Sequence, residues 1–168
     1  GIRWALVTVN GGGRMIFQGG GATHHNFDNS NSRLIAINNN NGHIEFRSND
    51  PSHTDTIYGA LGGGGTWVFN GGTIQLANQG LNSGGWNGNA FVNKGVLETS
   101  IDDQLGADLD IIVTNGGTLR VGGNDSSGNL FSQKGGVLEI NSSRLTFDDG
   151  DEKSGNGRII GSGDLNIQ

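Results

Sequence analysis

Short apolar runs, separated by glycine-rich corners, recur along this chain. Residues 111–113 (IIV) are apolar, residues 115–117 (NGG) form a corner, and Leu119 and Val121 follow with Arg120 between them. Alternation places Leu119 and Val121 on the same side of an extended chain, and glycine supplies the positive φ of a tight bend. The pattern predicts a strand, a bend and a second strand.

The same unit is repeated many times. Close copies read NGGTIQL at residues 70–76, NKGVLET at residues 93–99 and QKGGVLEI at residues 133–140, and looser copies lie near the two ends of the chain. The copies, about seven in all, return every 19 to 30 residues, an interval typical of solenoids, propellers and arrays. One repeat cannot bury its apolar face alone, whereas stacked repeats bury a continuous core.

Repeat length decides between these architectures. A propeller blade needs about 40 residues and four strands, which is longer than the spacing here. Helical periodicity is not sustained anywhere. The sequence therefore predicts an all-β fold, a right-handed parallel β-helix (solenoid) of about seven coils that forms a fragment of a longer rod. Corner asparagines are expected to stack, and the inward aliphatic ladder is expected to comprise Leu119, Leu97, Ile74, Leu138 and Ile44.

The chain is predicted to be a single β-helix segment over residues 1–168, interrupted by three polar stretches. Residues 19–32, 47–65 and 148–157 contain few regularly spaced apolar residues and are expected to leave the core as loops. Insertions of this kind tend to gather on a functional face of a repeat protein. They are therefore the first places to look for specific contacts.

Composition narrows the classes of function. Lysine and arginine are scattered in a chain of net charge −6, so no nucleic-acid footprint is expected. Cysteine is absent, which leaves stability to the stacking of repeats. No apolar run of about 18 residues exists, so this segment is not expected to insert into a membrane. Because both ends fall within repeat-like strands and no signal peptide is evident, we expect an excised piece of a longer protein.

The repeats resemble those of a known family. NGGTLRVGG at residues 115–123, NGGTIQLAN at residues 70–78 and NKGVLETS at residues 93–100 are similar to the strand repeats of autotransporter (type V secretion) passenger domains of Gram-negative bacteria. The resemblance implies an extracellular or cell-surface location, reached by secretion across the outer membrane, and a role in adhesion and virulence. Family proteases carry a Gly-Asp-Ser-Gly nucleophile motif in a separate module. The nearest stretch here, residues 123–128 (GNDSSG), departs from that motif.

Several polar groups have the residue types of a catalytic site without its spacing. Ser52, His53 and Asp55 match a Ser–His–Asp triad only as sequence neighbours, which seldom adopt triad geometry. Glycoside cleavage requires two carboxyls flanking the sugar; candidates are Asp102, Asp103, Asp108 and Asp110. No cluster of basic and aromatic residues accompanies them. A polar surface is the favoured interpretation of both groups, and no catalytic residue is predicted.

Metal and cofactor sites are not expected either. Zinc ligands need a spacing such as H-x₃₋₅-H, which the four histidines lack; they are His24, His25, His43 and His53. An acidic stretch offers oxygen ligands for calcium, but without the EF-hand or nonapeptide pattern; it comprises Asp148, Asp149, Asp151 and Glu152. No metal and no cofactor are predicted.

Binding is the function that these observations favour. Trp67 lies within an alternating strand and is expected in the core, whereas Trp86 stands among glycines and asparagines as a candidate contact residue. The expected partner is a host-surface protein or glycan, or another copy of the chain. The alternatives are a structural stalk that presents a protease or toxin module, and a polysaccharide-active enzyme. The candidate binding residues are His24, His25, Asp28, His53, Asp55, Tyr58 and Trp86.

Overall fold

The protein is an all-β, parallel solenoid of about three turns. The computed structural model describes residues 5–19, 35–57, 59–77, 86–100, 104–105, 109–114, 116–122, 125–127, 130–134, 137–140, 144–147, 152–155, 158–161 and 164–167. No helix occurs among them. The predicted class, a parallel β-solenoid, is thus confirmed, whereas the count of seven coils is not.

Sixteen strands lie in the described part of the chain. They are β1 (Ala5–Asn10), β2 (Arg14–Gly19), β3 (Ile35–Asn40), β4 (His43–Ser48), β5 (Thr54–Ile57), β6 (Leu61–Leu76), β7 (Trp86–Thr99), β8 (Leu109–Thr114), β9 (Gly117–Val121), β10 (Asp125–Ser127), β11 (Leu130–Lys134), β12 (Val137–Ile140), β13 (Arg144–Phe147), β14 (Glu152–Gly155), β15 (Arg158–Gly161) and β16 (Asp164–Ile167).

Strand pairing follows the repeats. Every ladder between these strands is parallel, and the longest path of pairing runs β1-β3-β6-β7-β8-β11-β14. The long strand β6 pairs in succession with β3, β4 and β5, and β7 then pairs along most of β6. Equivalent residues of successive repeats therefore lie directly above one another, about 4.8 Å apart.

The predicted aliphatic ladder is the centre of the core. Ile74, Leu97, Leu119 and Leu138 pair in register across four successive strands and are at most 3% exposed. Ile44 is also buried, but it pairs with Met15 and Trp67 in a neighbouring column. Its assignment to the ladder was wrong because β4 pairs with the first half of β6, whereas the ladder uses the second half.

Aromatic side chains form a second stack beside the first. Phe17, Phe46 and Phe69 pair in register, with ring centroids 5.1 and 5.5 Å apart and interplanar angles of 13° and 10°. Trp67 is fully buried, as predicted, and donates its indole N–H to the carbonyl oxygen of Asn87 at 3.1 Å. These rings give the core a large apolar volume within a few strands.

Glycines occupy the corner between the two halves of β6 and β7, where the stacked coils approach closely. Gly71 and Gly95 have φ values of +96° and +79°, a region that other residues rarely adopt. A Cβ on Gly71 would overlap the Ser48 carbonyl oxygen, and one on Gly95 would overlap that of Gly72. Asparagine stacking occurs at another corner, where Asn40 donates to the Asn10 side chain at 3.1 Å.

Two stretches that were expected to be loops contain strands. Residues 47–65 include β5 and the beginning of β6, and residues 148–157 include β14. Polar sequences form strands there because neighbouring coils supply hydrogen-bond partners for their backbones, whatever the local propensity. In the third stretch that was expected to be a loop, residues 19–32, positions 20–32 lie outside the described residues.

Of the described residues, none belongs to a helix long and apolar enough to cross a membrane.

Candidate functional site

A groove of about 510 Å³ lies at the glycine corner. It is bounded by the end of β4, the turn that follows β4, and the corners of β6 and β7. The residues that line it are Arg47, Ser48, Asn49, Pro51, Asn70, Gly71, Gly72, Lys94, Gly95 and Gly116. The chain is acidic as a whole, yet these residues include two cations and no carboxylate.

The turn after β4 shapes one wall of the groove. The carboxylate of Asp50 accepts the backbone N–H of Ser52 at 2.9 Å and its hydroxyl at 2.6 Å. Aspartate commonly holds a turn in this way. The hydrogen bond from the Ser52 hydroxyl, followed by that from its backbone N–H, keeps the pKa of Asp50 below its ordinary value. The turn therefore carries an ionised Asp50 beside Pro51 at neutral pH.

A buried carboxylate holds one of the groove's cations in place. Glu45 is only 3% exposed and receives Arg47 Nε at 2.9 Å and Arg14 Nη2 at 2.9 Å. Arg47 Nη2 lies 2.8 Å from the same carboxylate, and Asn70 Nδ2 donates to it at 3.1 Å. Burial raises the pKa of Glu45. Hydrogen bonds from Asn70, Arg47 and Arg14 together lower it by a larger amount, so that the net shift is downward.

The outer columns of the sheet bring the groove's polar residues together. Arg47 pairs with Asn70, and Asn70 pairs with Lys94 at an irregularity between β6 and β7. The backbones of Arg47 and Lys94 are therefore two strand spacings apart, roughly 10 Å. Lys94 is exposed, and no acidic partner holds its ammonium among the described residues.

His53 and Asp55, both predicted binding residues, lie next to each other but are mostly buried. His53 Nε2 is 3.3 Å from Asp55 Oδ1, and their side chains are 16% and 6% exposed. Asp55 pairs with Ile74, at the level of the aliphatic ladder. The Ser52 hydroxyl gives its single proton to Asp50, so this arrangement does not deliver that proton to His53 as a catalytic triad requires.

The other predicted binding residues cannot be placed in this site. His24, His25, Asp28 and Tyr58 lie outside the described residues. Trp86 begins β7, where its backbone pairs with Gly63. Contact roles for these five residues stay predictions.

Of the four aspartates considered for glycoside cleavage, the structure describes Asp110 alone. Asp110 is partly buried, and one of its carboxylate oxygens has no hydrogen-bond partner among the described residues. Asp102, Asp103 and Asp108 lie outside the described residues. Within the described ranges, no three His, Cys, Asp or Glu side chains are grouped as metal ligands.

A second polar array links side chains on β6, β7 and β9. Glu98 accepts Gln75 Nε2 at 2.7 Å and Arg120 Nη1 at 2.8 Å, so that three successive coils are linked. Arg120 is balanced by Glu98, and neither residue lines the groove. Arg120 is therefore a cation outside the groove, and its substitution can serve as a control for substitution of Lys94.

Sequence reasoning missed Arg47, Asn70 and Lys94. The signal was present in the repeat itself, because NKG at residues 93–95 places lysine where NGG at residues 70–72 has glycine. A lysine at a corner position that is glycine in other repeats is not required by the turn, which makes it a candidate binding residue. What the sequence did not show is that Arg47, near a different turn, lies in the same column.

Stability is expected to decrease as the pH falls below about 4.5, in part because of Glu45. The folded-state pKa of Glu45 lies below its ordinary value of 4.5. The ionised carboxylate therefore stabilises the fold above that pH, and its contribution is lost as acidification protonates it. Urea unfolding followed by circular dichroism between about pH 3 and pH 7 measures this loss.

The Glu45→Gln variant isolates the contribution of this carboxylate. We expect it to be less stable than the parent by about 1–2 kcal/mol at neutral pH and to show a shallower decrease on acidification. Asp50→Asn is a useful comparison, since the pKa of Asp50 is also lowered and its side chain is more exposed. Identical pH profiles for the parent and Glu45→Gln would contradict the assignment.

No family model, no curated protein and no solved structure matches this chain. The resemblance to autotransporter passengers therefore stays a prediction.

Proposed function

We propose that this chain is a segment of an autotransporter passenger, at a bacterial surface or secreted from it, that acts in adhesion by binding. The resemblance of the repeats supports the family in this proposal, and the groove supports the binding role. It places two cations and several amide and hydroxyl groups on the outer face of stacked coils. Such a surface suits polar recognition of a partner, and the glycine corners hold it on a rigid scaffold.

The architecture proposed for the whole segment is a right-handed parallel β-helix of about seven coils, part of a longer rod. The path of seven successively paired strands supports this count. A rod of this kind carries its binding surface away from the cell envelope. It also repeats similar outer columns along its length, which suits contact with another copy of the chain.

Adhesion is tested with beads coated with the protein. We expect them to bind cultured host cells, or to clump with one another, whereas albumin-coated beads do neither. Sedimentation velocity over a concentration series at two salt levels then separates the two modes. Dimers that weaken with salt would support self-association through polar contacts. Beads that bind neither cells nor one another would count against adhesion and favour a stalk that presents another module.

A further inference from the structure

The groove has an electrostatic character opposite to that of the chain. Net charge is −6, yet the groove's lining contains Arg47 and Lys94 and no acidic side chain. Glu45 balances Arg14 and Arg47 only in part, since one carboxylate faces two guanidinium groups. With the ionised Asp50 of the turn included, two carboxylates face the three cations Arg14, Arg47 and Lys94. The local excess of positive charge attracts an anionic group.

The two cations differ in how they present their donors. Arg47 is fixed, because Nε and Nη2 are both directed to Glu45, and a guanidinium has five N–H donors in all. Its remaining donors are available with the group held in position. Lys94 is exposed on a flexible stem. One end of the groove therefore has an oriented donor and the other has an adaptable one.

The neutral lining suits hydroxyl groups. Asn70 uses its amide N–H on Glu45, which leaves its amide oxygen as an acceptor between the two cations. Asn49 is exposed and offers both a donor and an acceptor, and Pro51 contributes an apolar ring surface. Alternating donors, acceptors and a small apolar surface are typical of a site for a sugar ring.

We propose that the groove binds a short acidic saccharide, with its anionic group at Lys94 and its adjacent hydroxyls at Asn70 and Asn49. Arg47, whose backbone lies roughly 10 Å from that of Lys94, takes a second anionic group or a further hydroxyl on the neighbouring sugar. A long polyanion such as nucleic acid needs many phosphate contacts, which two cations do not supply. The inference rests on the proposed binding function and names its ligand class.

Isothermal titration calorimetry of the whole chain tests this assignment. The probes are trigalacturonic acid, which carries carboxylates, a sulfated heparin-derived disaccharide, and neutral maltotriose as the control. We expect binding of at least one acidic probe at millimolar concentration or below, with weaker binding at higher salt. Comparison of the carboxylated and sulfated probes identifies the anionic group. Failure of both acidic probes to bind, or equal binding of maltotriose, would overturn the proposal.

Lys94→Gln is the decisive variant because Lys94 is exposed and forms no ion pair with any residue that the structure describes, so that its loss should not disturb the fold. We expect it to weaken binding of the acidic probe about tenfold, equivalent to roughly 1.4 kcal/mol. Arg120→Gln is the matched control, with the same change in charge outside the groove, and should leave affinity within about twofold. Equal losses in the two variants would show a general charge effect and overturn the site. Circular dichroism spectra confirm that both variants are folded.

Two experiments together distinguish the saccharide site from adhesion itself. Loss of saccharide binding in Lys94→Gln with unchanged bead adhesion would leave the groove assignment intact and place cell contact elsewhere. Adhesion without saccharide binding in the parent would overturn the groove assignment and retain the broader function.

Discussion

Replacing Gly95 by alanine is expected to lower the free energy of unfolding by about 3 kcal/mol. Gly95 has a φ of +79°, and an alanine in this left-handed region costs roughly 1–2 kcal/mol. The new Cβ would also overlap the Gly72 carbonyl oxygen and lie 2.8 Å from the Gly71 carbonyl carbon. Backbone atoms of a stacked coil cannot move away independently, so the coils must separate locally. Urea unfolding monitored by circular dichroism measures the loss.

Gly12→Ala is a closely matched control for this experiment. Gly12 has a φ of +78°, but nothing lies within 4 Å of a Cβ built on it. It should therefore incur only the conformational cost of about 1–2 kcal/mol. The difference between the two variants isolates the cost of the overlap between coils. Equal destabilisation by Gly12→Ala and Gly95→Ala would contradict the idea that close stacking requires glycine at the corner.

Gly95 also lines the groove, so the same substitution should affect binding. Separation of the coils at this corner would change the distance between Lys94 and Arg47. If the saccharide site is correct, Gly95→Ala should weaken acidic-saccharide binding even at temperatures at which the protein remains folded. Gly12→Ala should leave it unchanged.

The second large effect is expected at Trp67. Substitution by alanine should lower the free energy of unfolding by about 3–5 kcal/mol, the usual range for removal of a buried tryptophan. Trp67 is fully buried in the core cluster, paired between Ile44 and Ala90. The small neighbour Ala90 leaves room for the indole ring and is itself too short to fill the cavity that the substitution would create. Denaturant midpoints and tryptophan fluorescence measure the change.

Trp67→Phe separates the contribution of the ring's volume to stability from that of the indole hydrogen bond. Phenylalanine retains most of the ring but cannot donate to the Asn87 carbonyl oxygen, which Trp67 Nε1 reaches at 3.1 Å. We expect this variant to lose about 1–2 kcal/mol, less than alanine. A loss of less than about 1 kcal/mol for Trp67→Ala would mean that Trp67 is not packed in the core as described.

In a repeat protein, a local loss of stability can change the shape of the unfolding transition as well as its midpoint. Stability in a solenoid is approximately a sum of repeat and interface terms, so damage at one interface can unfold part of the rod. Gly95 and Trp67 both lie where β6 and β7 meet. Their variants are therefore expected to broaden the unfolding transition as well as shift it, a change visible as a lower m-value.

The sequence by itself determined the kind of fold and most of the core. Alternation tells which side of a strand a residue occupies, so the burial of Leu97, Leu119 and Trp67 followed from the pattern alone. The repeat length excluded a propeller, and the NGG corners marked the bends. These features are local, and a few successive repeats are enough to read them.

Tertiary structure decided the register and the groove. Coil length varies from repeat to repeat, so the sequence does not show which residues lie above one another. That is why Ile44 lies in a different column and why the largely polar residues 54–57 form strand β5. Burial of the charged Glu45 likewise depends on Arg14 and Asn70 from the neighbouring coils, in addition to Arg47 on its own strand.

The candidate site is likewise a feature that only the tertiary structure decided. Arg47, Asn70 and Lys94 come from three successive coils, and Arg47 lies outside the repeated corner motif that contains Asn70 and Lys94. Their convergence results from parallel pairing, which places side chains more than 20 residues apart in sequence within about two strand spacings of one another. Local sequence specified the faces of each strand, and only the stacking of coils specified which residues share a face, because register is set by contacts between repeats.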